Sequence, residues 1–198
     1  MLALDQMTGA LRRYADHKDA RVQAANVVAL LVASNQPFYP LYLYWFVADD
    51  VTPALFTFFS TPFFLAVPAL ARKHAVAGRA LLPLAGIGNT ILCAWLFGVK
   101  SAVEVFYIPC AVIALLVFRP QERLFSFMLA GMAFGAYLLL DGGYGVPMVS
   151  YSADEYAALA RLNGLSAAML TGFVALLFSN VMDKAEGSGK AAGDNKSG

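Results

Sequence analysis

The chain is poor in charged residues, and this shortage already excludes most soluble proteins. Asp, Glu, Lys and Arg make up 14% of the 198 residues, whereas hydrophobic residues make up 60%, a balance outside that of a soluble domain of this length. The net charge of +1 indicates no general attraction to nucleic acid. The composition therefore predicts an integral membrane protein whose main partner is the lipid bilayer.

Histidine and cysteine are equally scarce, which argues against a metal site, a cofactor or a disulfide framework. His17 and His74 both lie outside the apolar segments, so the sequence indicates no zinc or haem site. Cys93 and Cys110 fall inside apolar runs, where cysteine behaves as a small apolar side chain. No apolar segment carries a central lysine or a recognisable nucleophile motif. We therefore expect no cofactor, no metal and no enzymatic activity.

Six apolar segments are long enough to cross a bilayer as helices, since a core of about 30 Å needs roughly 20 residues. They predict an all-α polytopic membrane protein with a six-helix membrane domain at residues 22–183. A leader at residues 1–21 precedes this domain. A disordered tail at residues 184–198 follows, too rich in Gly, Ser and Lys to form a packed core. The predicted spans are residues 24–47, 53–70, 80–98, 101–118, 124–140 and 162–182.

The basic residues lie almost entirely on one side of this arrangement. Twelve of the fourteen Lys and Arg fall in the leader, the second and fourth gaps and the tail, and only Lys100 and Arg161 fall on the other side. Basic residues are retained on the cytoplasmic side of a membrane. We therefore predict a multi-pass protein with both termini in the cytoplasm.

Two helix starts outside the spans are also indicated. Ser152 and Glu155 form a capping-box pattern, which predicts that the sixth helix begins before it enters the membrane. In the leader, four residues share one helical face, which fits a short helix on the inner membrane surface. A frayed polar leader fits equally well. The four residues are Leu4, Leu11, Tyr14 and Lys18.

Small residues and prolines indicate how the helices pack. Two stripes of small residues spaced four apart allow helix backbones to approach closely. Since consecutive membrane helices usually pack as neighbours, we expect the two stripes to face each other; the alternative is a homodimer interface. The prolines should kink four helices and leave room for a cavity. The stripes are Gly131 and Gly135, then Gly164, Ala168 and Gly172; the prolines are Pro37, Pro40, Pro62, Pro68, Pro83 and Pro109.

Polar and aromatic side chains toward the outer side of the spans supply the candidate ligand-binding residues. Asn35 and Tyr39 lie one turn apart on the first span, Glu104 and Tyr107 one turn apart on the fourth, and Asn89 lies within the third. Glu104 is the only acidic residue in the predicted spans. We hypothesise that these five residues bind a small molecule. The alternative is that Glu104 favours a helix N-terminus in the headgroup zone while the asparagines make interhelical hydrogen bonds.

Three short segments resemble parts of a known type of domain. They are Asn89 to Gly98 (NTILCAWLFG), Glu104 to Pro109 (EVFYIP) and Phe118 to Arg123 (FRPQER). They are similar to the six-helix N-terminal membrane sensor domains of bacterial histidine kinases and of adenylate and guanylate cyclases. The resemblance implies a protein of the bacterial inner membrane that senses a small apolar or amphipathic molecule, or the state of the membrane.

The chain departs from that family after its last span. In the family the sixth helix continues into a coiled coil and an output domain, whereas here a Gly-rich segment follows. We therefore expect a module without an output domain of its own, with a separate signalling protein or a homodimer as partner. The alternatives are a small transporter or channel subunit and a structural partner in a membrane complex.

The charge asymmetry generates a prediction about topology. In intact cells, a membrane-impermeant thiol reagent should label a cysteine placed at Gly143 and miss cysteines placed at Gly78 or Gly193, because the positive-inside rule puts only the first of these outside. Labelling at Gly78 would contradict the assignment.

Overall fold

A computed structural model describes the backbone of residues 2–140 and 143–194 and the side chains of residues 9–140 and 143–182. The described residues form helices joined by turns, without a strand, which confirms the all-α prediction. The α-helices are α1 (Leu2–Ala15), α2 (Ala20–Asn35), α3 (Tyr39–Phe46), α4 (Thr52–Phe56), α5 (Thr61–Lys73), α6 (Ala75–Phe97), α7 (Tyr107–Val117), α8 (Arg123–Leu140) and α9 (Ala153–Asp194). Short 3₁₀ turns occupy Gln36–Phe38, Thr57–Ser60, Val99–Ser101, Val103–Phe106 and Pro120–Glu122.

Four helical segments of the described chain are long and apolar enough to cross a membrane. They correspond to the second, third, fifth and sixth predicted spans. The first predicted span is divided into α2 and α3, and the fourth contains a shorter apolar segment, Val103–Val117. The six-span count and the cytoplasmic termini stay predictions. The four segments are Thr52–Lys73, Ala75–Phe97, Pro120–Leu140 and Ala153–Met182.

The segments that flank the predicted membrane domain contain helix. The leader contains α1, and its place on the inner membrane surface stays a prediction. The described backbone of α9 runs to Asp194, into the segment for which we predict disorder, and residues 195–198 lie outside the described chain. That disorder therefore stays a prediction. The capping box is confirmed at the start of α9: the Ser152 amide donates to Glu155 Oε2 over 2.7 Å, and the Glu155 amide donates to Ser152 Oγ over 3.3 Å.

Most of the prolines lie at helix starts rather than inside kinked helices. Pro37 sits in the first 3₁₀ turn, and Pro40, Pro62 and Pro109 occupy the first turns of α3, α5 and α7, where a missing N–H costs little. Of these six prolines, Pro68 and Pro83 lie further inside helices, in α5 and α6. The prolines therefore interrupt the predicted spans more than they bend them.

The core lies where α2, α5, α6 and α7 meet, and α8 and α9 cover it from outside. Val28, Val67 and Val117 are completely buried there, and Cys93 and Cys110 are buried free thiols, as predicted. At the α5–α6 turn, a Cβ atom on Gly78 would stand 2.5 Å from Ala71 Cα. The exposed His74 is therefore a better position than Gly78 for the cytoplasmic label.

The small-residue stripes of α8 and α9 do not face each other, so that interpretation is wrong. In the described chain α8 packs chiefly against α7 and α6, whereas α9 packs against α7, α2 and the turns before α7. A Cβ added at Gly131, Gly135, Gly164 or Gly172 would meet no atom of the described residues within 4 Å. Both stripes therefore border open space beside the bundle.

Arginine side chains link neighbouring segments at the end of the bundle where the α5–α6 and α7–α8 connections lie. Arg79, 2% exposed, makes two 2.8 Å hydrogen bonds to the carboxylate of Glu122 and donates to the Val117 carbonyl over 2.9 Å. Its guanidinium also lies over the ring of Phe118, 5.5 Å from the centroid. Arg79 therefore joins α6 to the segment between α7 and α8.

A second set of contacts docks the leader onto this end. Asp19 caps α2 by accepting from the Arg21 amide over 2.9 Å, and Arg119 donates to its other oxygen over 2.6 Å. Burial alone would raise the pKa of Asp19, but these donors hold it below its usual value. Arg72 donates to the Tyr14 carbonyl of α1 over 2.7 Å. The leader is thus a packed part of the fold.

The buried ion pair leads to a stability prediction. Replacing Arg79 with Met should destabilise the protein by about 2 to 4 kcal/mol, because Glu122 loses its bidentate partner in a partly desolvated place. The exposed Arg123 provides the matched control, and R123M should change stability by less than about 0.5 kcal/mol. Unfolding in detergent micelles would measure both, and equal losses would contradict the assigned role of Arg79.

Candidate functional site

An open groove of about 400 Å³ lies between the Thr57–Ser60 turn, the start of α5 and one face of α6. Its walls are aromatic and aliphatic, and among the described residues that line it only Ser60 and Asn89 bring side-chain polar atoms. A cavity of this size falls within the range of small-molecule sites, roughly 300 to 1,000 Å³. The apolar lining residues are Phe59, Phe63, Leu81, Leu84, Ala85, Gly88 and Leu92.

The amide of Asn89 is held in place by a neighbouring hydroxyl. Ser60 Oγ lies 2.8 Å from Asn89 Oδ1 and 2.8 Å from the Thr57 carbonyl oxygen, so its single proton serves one of them at a time. The Thr57 carbonyl also accepts from Gln36 Nε2 over 3.2 Å. This second donor leaves the Ser60 proton available to Asn89.

Gln36 connects Ser60 and Asn89 to the turns that interrupt the helices. Its Nε2 also donates to Ser60 Oγ, and its Oε1 accepts from Thr61 Oγ1 over 2.6 Å. The buried Gln36 lies in the turn between α2 and α3, and its partners lie in or just after the turn between α4 and α5. One side chain therefore bridges both interruptions beside the groove. We call Gln36, Thr57, Ser60, Thr61 and Asn89 the amide network.

A separate group of tyrosines lies at the opposite end of the bundle from the arginine contacts. Tyr107 and Tyr144 share a 3.1 Å hydrogen bond between their hydroxyl groups. Tyr39 donates to Asn163 Oδ1 over 3.2 Å, and Asn163 Nδ2 donates to the Ser101 carbonyl over 2.9 Å. We call Tyr39, Tyr107, Tyr144, Tyr151 and Tyr156 the tyrosine layer.

The side chain of Glu104 packs with the tyrosine layer. The side chain is buried, with 8% of its surface exposed. Burial raises the pKa of the Tyr144 hydroxyl, and the neighbouring Tyr107 and then Glu104 raise it further. Glu104 is therefore an internal partner of the tyrosines, at the start of the helical segment that leads into α7.

The segment 143–152, which we call the cap, closes the bundle over the tyrosine layer. The Met148 amide donates to the Leu96 carbonyl over 2.9 Å, and Tyr151 donates to the Asp50 carbonyl over 2.9 Å. Gly98, at φ +78°, ends α6 in a conformation that glycine adopts most easily. A Cβ there would stand 3.2 Å from the ring of Pro147. The cap therefore packs tightly on the end of α6.

The five candidate residues do not form one site. Glu104 and Tyr107 meet in the tyrosine layer, and Tyr39 joins that layer through the ring of Phe97, which also stacks with Tyr151. Asn89 lies in the groove. The side chain of Asn35 is exposed and makes no hydrogen bond within the described chain.

Several residues of both groups were absent from the candidate set. Gln36 was the neighbour of a candidate, and Ser60 and Asn163 are isolated polar residues inside apolar segments. Polar residues in such positions usually form hydrogen bonds across helices, so each could have been identified as a candidate from the sequence. The sequence contains no sign of which partner each would find.

Comparison with known proteins agrees with the fold. A family model of MASE7, a family of membrane-associated sensor domains, matches residues 11–158. No protein of curated function matches the chain. The matched segment begins in α1, includes the groove and the tyrosine layer up to Tyr156, and ends within the first turns of α9. Because this match covers well over half of the chain, the protein belongs to the MASE7 family of membrane-associated sensor domains.

Proposed function

We propose that this chain is a sensor module of the bacterial inner membrane that binds a small apolar or amphipathic molecule in the groove beside Asn89. The single observation that carries the proposal is the groove itself, with its apolar walls and one positioned amide. Small-molecule sites combine these two features, since apolar walls supply affinity and a few polar groups fix orientation. Family membership supports a sensing role for such a site.

The amide network gives the bound molecule a way to affect the fold. Asn89 lies on α6, Ser60 precedes α5 and Gln36 follows α2, so a change at Asn89 alters the contacts of three helices. The last helix, α9, packs against α2 and α7. A molecule bound in the groove would therefore move the helices against which α9 packs. A separate signalling protein or a second copy of the chain would respond to this movement.

The arrangement of polar groups favours a sensor over a transporter or channel subunit. In the described residues the amide network and the tyrosine layer are two separate groups, and the arginine contacts form a third at the other end. A transporter needs a continuous polar path and a site near the centre of the membrane. We also propose that the chain has no enzymatic activity.

A matched pair of labels tests the proposal. Gly88 in the groove and Gly131 on α8 both point into open space, so each accepts a cysteine without a clash. Cys93 and Cys110 are buried, so a trifluoroethyl thiol reagent will mark the introduced cysteine. With the protein in lipid nanodiscs, addition of methyl dodecanoate or dodecane should produce a saturable ¹⁹F shift at Gly88→Cys and none at Gly131→Cys.

Two outcomes would contradict the proposal. Equal shifts at both positions would mean that the molecules only dissolve in the surrounding lipid. Shifts at Gly88→Cys that rise without saturation would mean that the groove has no binding site.

A further inference from the structure

We infer that the groove recognises a single-chain, lipid-soluble molecule carrying a hydrogen-bond acceptor, and that Asn89 Nδ2 is the donor that selects it. This inference rests on the proposed function and names the class of ligand that the groove takes. It is carried by the orientation of the Asn89 amide, the depth of Asn89 along α6 and the shape of the groove.

The oxygen of the Asn89 amide is already committed to the protein. Ser60 Oγ lies 2.8 Å from Asn89 Oδ1 and is itself fixed by Gln36. Asn89 Nδ2, by contrast, makes no hydrogen bond within the described chain, and Asn89 lines the groove. An unpaired amide donor in an apolar environment is unfavourable. A ligand that presents an acceptor to this group therefore gains free energy that a pure hydrocarbon does not.

The position of Asn89 argues against a bilayer phospholipid as the occupant. Asn89 is eight residues from the end of α6 at Phe97 and fourteen from its start, which corresponds to about 12 Å and about 21 Å at 1.5 Å per residue. Asn89 is therefore well inside a hydrocarbon core about 30 Å thick. The ester groups of a phospholipid remain at the interface, whereas a molecule that dissolves wholly in the bilayer can bring a carbonyl to this depth.

The shape of the groove fits one chain. Its α6 wall extends from Leu81 to Leu92, a rise of about 16 Å along the helix. Phe59 and Phe63 form the opposite wall. The apolar lining, the length of the α6 wall and the volume of about 400 Å³ suit one alkyl chain with its acceptor beside Asn89. Entry is sideways from the lipid, because the cap and the arginine contacts close the two ends of the bundle.

The test compares an ester with a hydrocarbon of the same chain length. With the ¹⁹F label at Gly88→Cys in nanodiscs, methyl dodecanoate should bind about tenfold more tightly than dodecane when each is expressed per mole fraction in the lipid. Asn89→Leu should abolish this preference, so that the two affinities have a ratio of about one, and should leave dodecane binding intact. Ser60→Ala should weaken the preference without removing Asn89, because the amide oxygen loses its fixed donor.

Tyr107→Phe is the matched control, since it removes a polar group from the tyrosine layer and should leave the preference unchanged. Equal affinity for the two probes in the wild type, or a tenfold preference that survives in Asn89→Leu, would overturn this inference while leaving the groove as a binding site. Non-saturable behaviour of both probes would overturn the proposed function together with the inference. If Asn89→Leu fails to fold, the wild-type ratio and the Ser60→Ala variant still decide between these outcomes.

Discussion

Hydrogen bonds at a helix interruption organise the centre of the bundle. Where a helix is interrupted inside an apolar segment, its backbone carbonyl groups need donors. In a bilayer no water is available for this purpose, and an unsatisfied carbonyl is costly. In the 3₁₀ turn before α5, the Thr57 carbonyl accepts from Ser60 Oγ over 2.8 Å and from the Gln36 side chain over 3.2 Å. Gln36 also donates to Ser60 Oγ, which lies 2.8 Å from Asn89 Oδ1. The site is therefore built on the hydrogen bonds that hold this interruption together.

The distribution of polar contacts gives the bundle two closed ends and an open side. Arginines bind carboxylates and carbonyl groups at one end, and tyrosines bind carbonyls and one another beneath the cap at the other. Between these ends the side chains are chiefly apolar, and the groove lies on this apolar side. A molecule dissolved in lipid therefore has a shorter route to the amide network than one dissolved in water.

The helical fold and the start of α9 could be predicted from the sequence, because hydropathy and capping patterns are local properties. The interruption at Gln36–Phe38 could not, since a continuous apolar segment around Pro37 is compatible with either a kinked helix or two helices. The facing of the glycine stripes was also wrongly predicted. Adjacent spans pack as neighbours only if no third helix fits better, and here α7 lies against both α8 and α9.

For a related reason, the sequence indicated some members of the candidate site but not their partners from distant segments. Asn89 was identified because a polar residue inside an apolar segment needs a partner, and Ser60 provides one. Glu104 and Tyr107 were grouped by their spacing, but their partner Tyr144 comes from the cap, 37 residues after Tyr107. Pairings between distant segments depend on tertiary packing, which spacing within one helix does not contain.

The contact between Gly98 and Pro147 has a consequence for how the molecule can vary. Gly98 combines a positive φ with a 3.2 Å approach of the proline ring to the place where a Cβ would stand. A side chain there would strain the end of α6 and would also press on Pro147, next to the Met148 amide that bonds to the Leu96 carbonyl. The close packing of the cap on α6 therefore depends on the absence of a side chain at position 98.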